Sequence, residues 1–259
     1  MSHRLLTISH DIARITLHNP PANVLNPAIL TELEHSWSEV ENNSNVRVVI
    51  LTGSGRFFCA GADIHELTLL NSVHKGTEFS RRGQALLNRI ERSAMPVLAA
   101  INGACVGGGL ELALACHIRI AAMDALLGLP EITLGLIPGF GGTQRLPRVV
   151  GPSKAVEMIL TGQRLTADEA LKIGLVSRLV PTQELMTQTE AIASLLTANG
   201  TPATQAALHA MRGGHDIPLT EGLAREAGLF GQLCVTAEKK DATQAFLAKR
   251  QPKVAGTEA

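Results

Sequence analysis

The first half of the chain contains runs of apolar residues that predict strands. Residues 5–9 and 12–17 alternate between apolar and polar positions, which is typical of a hairpin of half-exposed strands. Residues 46–51 are nearly continuous in β-branched and aliphatic residues, as expected for a strand covered on both faces. Residues 96–101 form a similar apolar run. These patterns predict a sheet whose first two strands are half-exposed and whose later strands are buried.

Segments with helical spacing alternate with these strands. Asn26 is followed by a proline and an apolar stripe of period 3.6, which predicts a capped helix. A second helix is predicted from the glycine run 107–109 through residues 110–116, and a capping-box pattern at Thr166 predicts another. The result is a recurring strand, small-residue turn and helix, without any repeat at the level of sequence.

Beyond Pro181 the pattern changes from mixed α/β to helical only. Apolar residues recur at helical spacing in three segments, residues 182–198, 202–211 and 219–249. We therefore predict two domains, an α/β core over residues 1–195 and a helical region over residues 196–259.

Charge and composition exclude several classes of partner. The 259 residues carry 23 basic and 23 acidic side chains, so there is no electrostatic footprint for nucleic acid or an anionic membrane. Aromatic residues are too scarce for base stacking, and no apolar run approaches the length of a membrane span. We expect neither nucleic acid nor a membrane as a partner.

The four cysteines favour a reducing, cytoplasmic setting. They show no C-x-x-C spacing, and three of them lie in apolar or small-residue runs typical of buried thiols. No group of His and Cys has metal-ligand spacing, and no glycine run fits a dinucleotide or Walker pattern. We expect no metal and no nucleotide redox cofactor.

The glycine run 107–109 is the first candidate for chemistry. Its three residues have no β-carbons, so another molecule can approach the backbone closely. The run lies at a helix start, where amide N–H groups are unpaired and attract negative charge. Glu111 follows one turn later in apolar surroundings, and an amide beside an isolated carboxyl suggests chemistry on a carbonyl group. The alternative is a structural one, because acids such as Glu111 and Glu131 are also common in first helical turns.

Four motifs, in order along nearly the whole chain, decide between these interpretations. Together they resemble the enoyl-CoA hydratase/isomerase family, the crotonases: residues 60–64 (AGADI), 102–112 (NGACVGGGLEL), 130–132 (PEI) and 138–146 (PGFGGTQRL). The resemblance implies an α/β crotonase fold, a spiral of ββα units followed by an all-helical C-terminal trimerisation region. It also implies acyl-CoA thioester substrates and a homotrimer or homohexamer, with coenzyme A as part of the substrate rather than a cofactor.

The resemblance also implies roles for particular residues. The backbone N–H groups of Ala62 and Gly108 match the two that hold the thioester oxygen, and Glu111 and Glu131 match the two catalytic glutamates of hydratases. The remaining implied substrate and CoA contacts are Ala22, Ala60, Asp63, Ile64, Gly107, Phe246 and Lys249. For Lys249 a solvated charge near the C-terminus is the alternative.

Both glutamates together favour an enoyl-CoA hydratase, which adds water to a trans-2-enoyl-CoA to give a 3-hydroxyacyl-CoA. The two carboxyls allow one to act as a base toward water while the other supplies a proton. The alternatives are a Δ3-Δ2 enoyl-CoA isomerase, a hydratase for branched 3-methyl-enoyl-CoA, and a non-catalytic acyl-CoA-binding protein. The sequence leaves the acyl-chain length open.

Overall fold

The computed structural model describes residues 5–212 and 217–250, and the chain divides into two compact units. The first unit comprises residues 1–198 and the second residues 199–259. The predicted boundary after residue 195 falls inside the helix Leu185–Thr197, whose buried face packs on the sheet of the first unit. The first unit therefore includes the whole of this helix, and the observed boundary lies after it.

The strands of the first unit form two sheets. In the described residues they are β1 (Leu6–Ser9), β2 (Ile12–Leu17), β3 (Val48–Gly53), β4 (Phe57–Cys59), β5 (Val97–Ile101), β6 (Ala104–Val106), β7 (Ile118–Ala122), β8 (Leu126–Gly128), β9 (Arg164–Thr166) and β10 (Arg178–Val180). The larger sheet has the order β1-β2-β3-β5-β7-β10 and is parallel except for the β1-β2 hairpin. The predicted hairpin and buried strands are confirmed.

The smaller sheet has the order β4-β6-β8-β9. It was not predicted, because its strands have three residues each and are too short to show a period of two. The glycine-run segment, predicted as a strand, a turn and a helix, thus contains the extra strand β6. Since β4 and β6 are parallel neighbours, with Cys59 opposite Cys105, the turns that follow them lie side by side.

The helices cover the strands and begin at the small-residue turns. In the described part of the first unit they are α1 (Pro27–Glu41), α2 (Ile64–Thr68), α3 (Val73–Glu91), α4 (Gly108–Ala115), α5 (Gly142–Val150), α6 (Pro152–Thr161), α7 (Ala167–Lys172) and α8 (Leu185–Thr197), with 3₁₀ helices at Glu131–Leu134 and Thr182–Glu184. The main core lies between the sheets and α1, α3 and α4. On the opposite face of the larger sheet, α8 closes a separate apolar cluster with Leu185 and Ala193. The predicted spiral of strand, strand and helix units is confirmed.

The second unit is helical over its described residues. It contains α9 (Thr201–Met211), α10 (Leu219–Cys234) and α11 (Ala237–Arg250). The helix predicted at residues 219–249 is in fact two helices, because Val235 ends α10 and the Thr236 hydroxyl accepts a hydrogen bond from the Lys239 N–H at the start of α11. Within residues 5–212 and 217–250, no helix has the length and apolar character required to cross a membrane.

Candidate active site

The turn that follows β4 leaves the amide of Ala62 unpaired. Gly61 has a φ of +98°, which favours glycine, and a β-carbon there would lie 3.2 Å from the Val106 carbonyl oxygen. The Leu25 N–H donates to the Gly61 carbonyl, and the Leu25 carbonyl accepts from the Asp63 N–H. These bonds use the residues on either side of Ala62 and leave its N–H out. Among the described residues, the Ala62 N–H therefore has no acceptor.

A second unpaired amide lies at the start of α4. Gly107 has a φ of +55°, and Gly108 begins the helix, where N–H groups have no intrahelical acceptor. A β-carbon on Gly108 would lie only 3.6 Å from the Ala62 nitrogen. The two amides thus lie beside each other at the positive end of the α4 dipole, an arrangement that can stabilise negative charge on an oxygen.

Glu111 lies in the first turn of α4 and is 2% exposed. Its Oε1 accepts hydrogen bonds from the N–H groups of Phe140 and Gly142, both at 2.7 Å. Burial raises the pKa of Glu111 to about 7, despite the opposing effect of the Gly142 and Phe140 hydrogen bonds, and the charge of Glu131 adds to the increase. The carboxyl can therefore exchange a proton near neutral pH.

Glu131 is the first residue of its 3₁₀ helix and faces the start of α4. A β-carbon on Gly107 would lie 3.1 Å from the Glu131 Oε1, so a larger residue there would crowd this carboxyl. The Glu131 Oε2 is buried and has no hydrogen-bond partner among the described residues. Burial also raises the pKa of Glu131. A buried carboxyl oxygen without a partner is suited to a water molecule or a reacting group.

Sequence comparison places the chain in a known family. The profile described as enoyl-CoA hydratase/isomerase matches residues 7–257. The chain belongs to this family. The resemblance predicted from the four motifs is thereby confirmed.

Individual members of the enoyl-CoA hydratase/isomerase family match over almost the full chain. A probable enoyl-CoA hydratase of Bacillus subtilis is 46% identical over 253 residues, which is 97% of this chain and 98% of that protein. The short-chain-enoyl-CoA hydratase of Clostridium acetobutylicum is 43% identical over 97% of each chain. The crystal structure of an enoyl-CoA hydratase from Bacillus anthracis has a TM-score of 0.90 at 39% identity, covering 96% of this chain and 98% of that one.

Three of the predicted substrate contacts, Ala60, Asp63 and Ile64, lie along the turn that follows β4, and a fourth, Ala22, lies on the segment beside it. The Ala60 N–H donates to the Ala22 carbonyl, which joins the two residues directly. The Asp63 side chain caps α2 by accepting from the His65 N–H at 2.9 Å, and Ile64 is 62% exposed. Gly107, another predicted contact, lies at the start of α4 beside the Glu131 carboxyl.

The other two predicted contacts lie in the second unit. Phe246 is on α11 and is 54% exposed. Lys249 is also on α11, but its side chain is outside the described part of the chain. Their role as CoA contacts stays a prediction.

Arg145 supports the glutamate site but received no role from sequence reasoning. Its side chain is buried, and it donates to the Phe140 carbonyl at 2.9 Å, to Asn88 at 2.6 Å and to Glu91 at 2.9 Å. It therefore fixes the loop whose amides hold Glu111. An arginine shortly after a glycine turn was the only sequence signal, and its side-chain partners Asn88 and Glu91 lie more than 50 residues earlier.

Asn23 supports the amide turn in a similar way. It is 1% exposed with a φ of +53°, and its Nδ2 donates to the carbonyls of Ser54 and Phe57 at 2.9 and 2.8 Å. These bonds tie the Ala22–Leu25 segment to the chain that enters β4. A polar residue in a turn predicts a loop, and nothing in the sequence indicates that this one is buried.

Proposed function

We propose that this chain is an enoyl-CoA hydratase, a hydro-lyase that reversibly adds water to a trans-2-enoyl-CoA. The observation that carries the proposal is that two unpaired amides, Ala62 and Gly108, lie beside two carboxyls, the buried one of Glu111 and that of Glu131, whose Oε2 is buried without a partner among the described residues. Several relatives bear this activity in their names, among them a crotonyl-CoA hydratase of Syntrophomonas wolfei that is 39% identical over 249 residues. The product is the 3-hydroxyacyl-CoA.

In the proposed mechanism the two amides bind the carbonyl oxygen of the thioester. Negative charge grows on this oxygen as the water oxygen bonds to C3, because the double-bond electrons move toward the carbonyl. Fixed donors stabilise that charge without reorganising, and one such donor contributes about 3–4 kcal/mol. The Ala62 and Gly108 donors are backbone groups held by the β4 turn and by α4. The same pair also polarises the substrate before water adds.

The two carboxyls transfer the protons. Glu111 takes a proton from the water molecule as its oxygen bonds to C3, and Glu131 gives a proton to C2, so that water is added across the double bond. Glu111 is suited to the base role because two N–H groups favour its charged form, whereas Glu131 has no such donors on its buried Oε2. A proton passes from Glu111 back to Glu131 before the next turnover. Both transfers occur on the side of the glutamates, which predicts syn addition.

The proposed roles predict a pH dependence. Glu111 acts as a base only when deprotonated, and burial raises its pKa to about 7. The value of kcat/KM for crotonyl-CoA should therefore rise with pH up to about 7, with a fall of about tenfold per unit on the acid side. Initial rates in overlapping buffers measure this profile. An activity that stays constant well below neutral pH would contradict the role of Glu111.

A panel of enoyl thioesters tests the proposed reaction itself. Loss of the enoyl-thioester absorbance with crotonyl-CoA should accompany formation of 3-hydroxybutyryl-CoA. A 3-enoyl-CoA distinguishes an isomerase, which would convert it to the 2-enoyl isomer without incorporating water. Binding of these thioesters without turnover of any of them would instead indicate a non-catalytic acyl-CoA-binding protein.

We further propose that the chain forms a homotrimer or a dimer of trimers. A group of exposed apolar side chains, called here the apolar surface, supports this. They lie on the 3₁₀ helix Glu131–Leu134, on the residues after it and on α6, which contacts that helix, and they are between 44% and 66% exposed: Leu134, Leu136, Ile137, Val156 and Leu160. Exposed apolar groups of this kind mark interaction sites. The predicted role of the second unit in oligomerisation belongs to the same proposal.

Charge introduced into this apolar surface should dissociate the oligomer. We expect the double variant Ile137→Asp with Leu160→Asp to elute as a smaller species, because burying two carboxylates in an interface is strongly unfavourable. Light scattering after size-exclusion chromatography measures the mass. Val73→Asp is the control, since Val73 is 89% exposed on α3, outside this surface. An unchanged mass for the double variant would show that assembly uses another surface.

The reaction as proposed involves no net oxidation or reduction, so it includes no redox cofactor, and coenzyme A enters with the substrate. We also propose that the protein is located in the cytoplasm. The support for this location is that Cys59, Cys105 and Cys116 are buried as free thiols, as is usual in reducing compartments.

A further inference from the structure

The loop that leads into α5 holds Glu111 with two of its peptide groups. The Glu111 Oε1 accepts from the N–H groups of Phe140 and Gly142, both at 2.7 Å. The first N–H belongs to the peptide group between Gly139 and Phe140, and the second to the one between Gly141 and Gly142. Because a trans peptide group is planar, its carbonyl and its N–H point in opposite directions, so bonds that fix the carbonyl also aim the N–H.

The carbonyls of these two peptide groups are fixed in different ways. The Gly141 carbonyl accepts from the backbone N–H groups of Gln144 and Arg145, at 3.0 and 2.9 Å. The first turn of α5 therefore aims the Gly142 N–H without help from another element. The Gly139 carbonyl instead accepts from side chains of α3, which makes the direction of the neighbouring N–H dependent on that helix.

Ser80 and Gln84 are the two residues of α3 that fix the Gly139 carbonyl. The Ser80 hydroxyl donates to it at 2.5 Å, and the Gln84 Nε2 donates to it at 2.9 Å and to the Ser80 oxygen at 3.0 Å. The two residues are four positions apart and therefore lie on one face of the helix. Both are half-buried. A continuous chain of hydrogen bonds thus runs from α3, through one peptide group, to Glu111.

Apolar packing keeps the same loop close to α3. Phe140 is 3% exposed, and a β-carbon on Gly83 of α3 would lie 2.2 Å from the Phe140 Cδ1. The ring thus determines how near the loop lies to the helix, whereas the two polar side chains determine how its peptide group is turned. Loss of those side chains should reorient the peptide group while the loop stays in place.

The orientation of this peptide group affects the charge on Glu111. The carboxyl is 2% exposed, so the two N–H groups replace the water that would otherwise stabilise its charged form. Hydrogen bonds accepted by a carbonyl also polarise the peptide group and strengthen its N–H as a donor. A misdirected or weaker Phe140 N–H would therefore leave the carboxylate less stable relative to the neutral acid.

Other charged groups act on Glu111 from the elements packed around it. Glu131, on its 3₁₀ helix, raises the pKa of Glu111, and Arg145 of α5 lowers it. From α3, Glu91 lies against Arg145 at 2.9 Å and offsets part of its positive charge. Two thiols on the strands beside α4 stay neutral, because burial raises their pKa: Cys59 on β4 and Cys105 on β6.

We propose that Ser80 and Gln84 are positioning residues for the catalytic base, since they keep the Phe140 N–H on Glu111 through the Gly139–Phe140 peptide group. This role rests on the proposed hydratase function and extends it to a helix that supplies none of the reacting groups. The two side chains have no ionisable group. Their replacement therefore changes no charge near Glu111, and any shift in its titration reports the peptide group.

The test compares the pH dependence of kcat/KM for crotonyl-CoA in the wild type and in the double variant Ser80→Ala with Gln84→Met. Losing the donors should raise the pKa of Glu111 above its value of about 7. Because the base acts only when deprotonated, the acid limb should move to higher pH by about one unit. The double variant should then lose about tenfold in kcat/KM at about pH 6 and return to within about threefold of the wild type at about pH 9.

Three further variants separate this role from general loosening of the protein. Ser80→Ala alone leaves the Gln84 donor on the carbonyl and should give a smaller shift in the same direction. Ser80→Thr keeps a hydroxyl and should retain the wild-type profile. Gln188→Met is the matched control, because it makes the same substitution at an exposed residue of α8 and should leave the profile unchanged.

Infrared difference spectra follow the Glu111 carboxyl without requiring turnover. The band of a protonated carboxyl that titrates in the wild type and is missing in Glu111→Gln reports this residue. Its midpoint should move to higher pH in the double variant. A shifted midpoint in a protein that does not hydrate crotonyl-CoA would support the positioning role while contradicting the hydratase function.

The opposite results would overturn the positioning role. One is an infrared midpoint and a kcat/KM profile that both coincide with those of the wild type. Another is a loss of activity in the double variant that is equal at all pH values, because Ser80 and Gln84 would then only support the structure of the loop. An equal shift in Gln188→Met would also overturn it.

Discussion

Replacing Glu111 with glutamine should lower kcat for crotonyl-CoA hydration by about a thousandfold. The side-chain oxygen of glutamine can still accept the two 2.7 Å hydrogen bonds from Phe140 and Gly142, so the loop keeps its anchor. The amide cannot take a proton from water, however, and the reaction loses its base. Because glutamine also removes a buried ionisable group, the free energy of unfolding should not decrease.

Steady-state kinetics and thermal unfolding of Glu111→Gln together check this expectation. Glu184→Gln provides the control, since Glu184 is an exposed residue of a 3₁₀ helix and its substitution changes the net charge in the same way. Wild-type rates in Glu111→Gln would show that the base lies elsewhere. A large loss of stability would instead assign Glu111 a structural role.

Replacing Gly109 with alanine should both destabilise the protein and remove most of its activity. A β-carbon at this position would lie 2.3 Å from the Cys59 carbonyl oxygen and 2.7 Å from the Cys59 Cβ. Alanine gains about 1 kcal/mol over glycine inside a helix, but overpacking against a fixed backbone costs about 1–3 kcal/mol. The collision is therefore the larger effect, and α4 must move away from β4.

This movement separates the two amides, since β4 leads to Ala62 and α4 begins with Gly108. A displacement of about 1 Å in an active site can reduce the rate by about a hundredfold. Gly76→Ala is the matched control, because Gly76 is a half-buried glycine of α3 with no atom within 4 Å of the new β-carbon. We expect Gly76→Ala to match or exceed the wild-type stability. Similar thermal unfolding and rates for both glycine variants would contradict the close contact of α4 with β4.

Local signals in the sequence predicted much of the fold. The Asn26 side chain caps α1 by accepting from the Ile29 N–H at 2.9 Å, and the capping box at Thr166 is present at the start of α7. Both signals involve residues close together in sequence, and their geometry depends little on the rest of the chain. The long apolar strands were predictable for the same reason.

The smaller sheet and the supporting polar contacts depend on residues that are far apart in sequence. β4 and β6 pair across more than 40 residues, and three residues are too few to show a period. Arg145 contacts Glu91, 54 positions earlier, and the Phe140 ring packs against Gly83. Such contacts form only once the elements pack, so spacing along the chain does not indicate them.

The candidate active site was predictable only in part from local signals. Gly108 and Glu111 could be marked from a single run, because one helix start positions both. Ala62 and Glu131 lie on other elements, and their roles came from the resemblance to the enoyl-CoA hydratase/isomerase family. The structure brings Ala62 to the Gly108 amide through the pairing of β4 with β6, and Glu131 to Gly107 through the pairing of β6 with β8.

The most direct test of water addition at this site uses crotonyl-CoA in ¹⁸O-labelled water. Mass spectrometry of the product, with nuclear magnetic resonance to locate the label, distinguishes hydration from the other reactions of the family. We expect the wild type to form 3-hydroxybutyryl-CoA with the label in its 3-hydroxyl group, and Glu111→Gln to form almost none. Unconverted crotonyl-CoA, or an isomerised product without label, would contradict the proposed hydratase function.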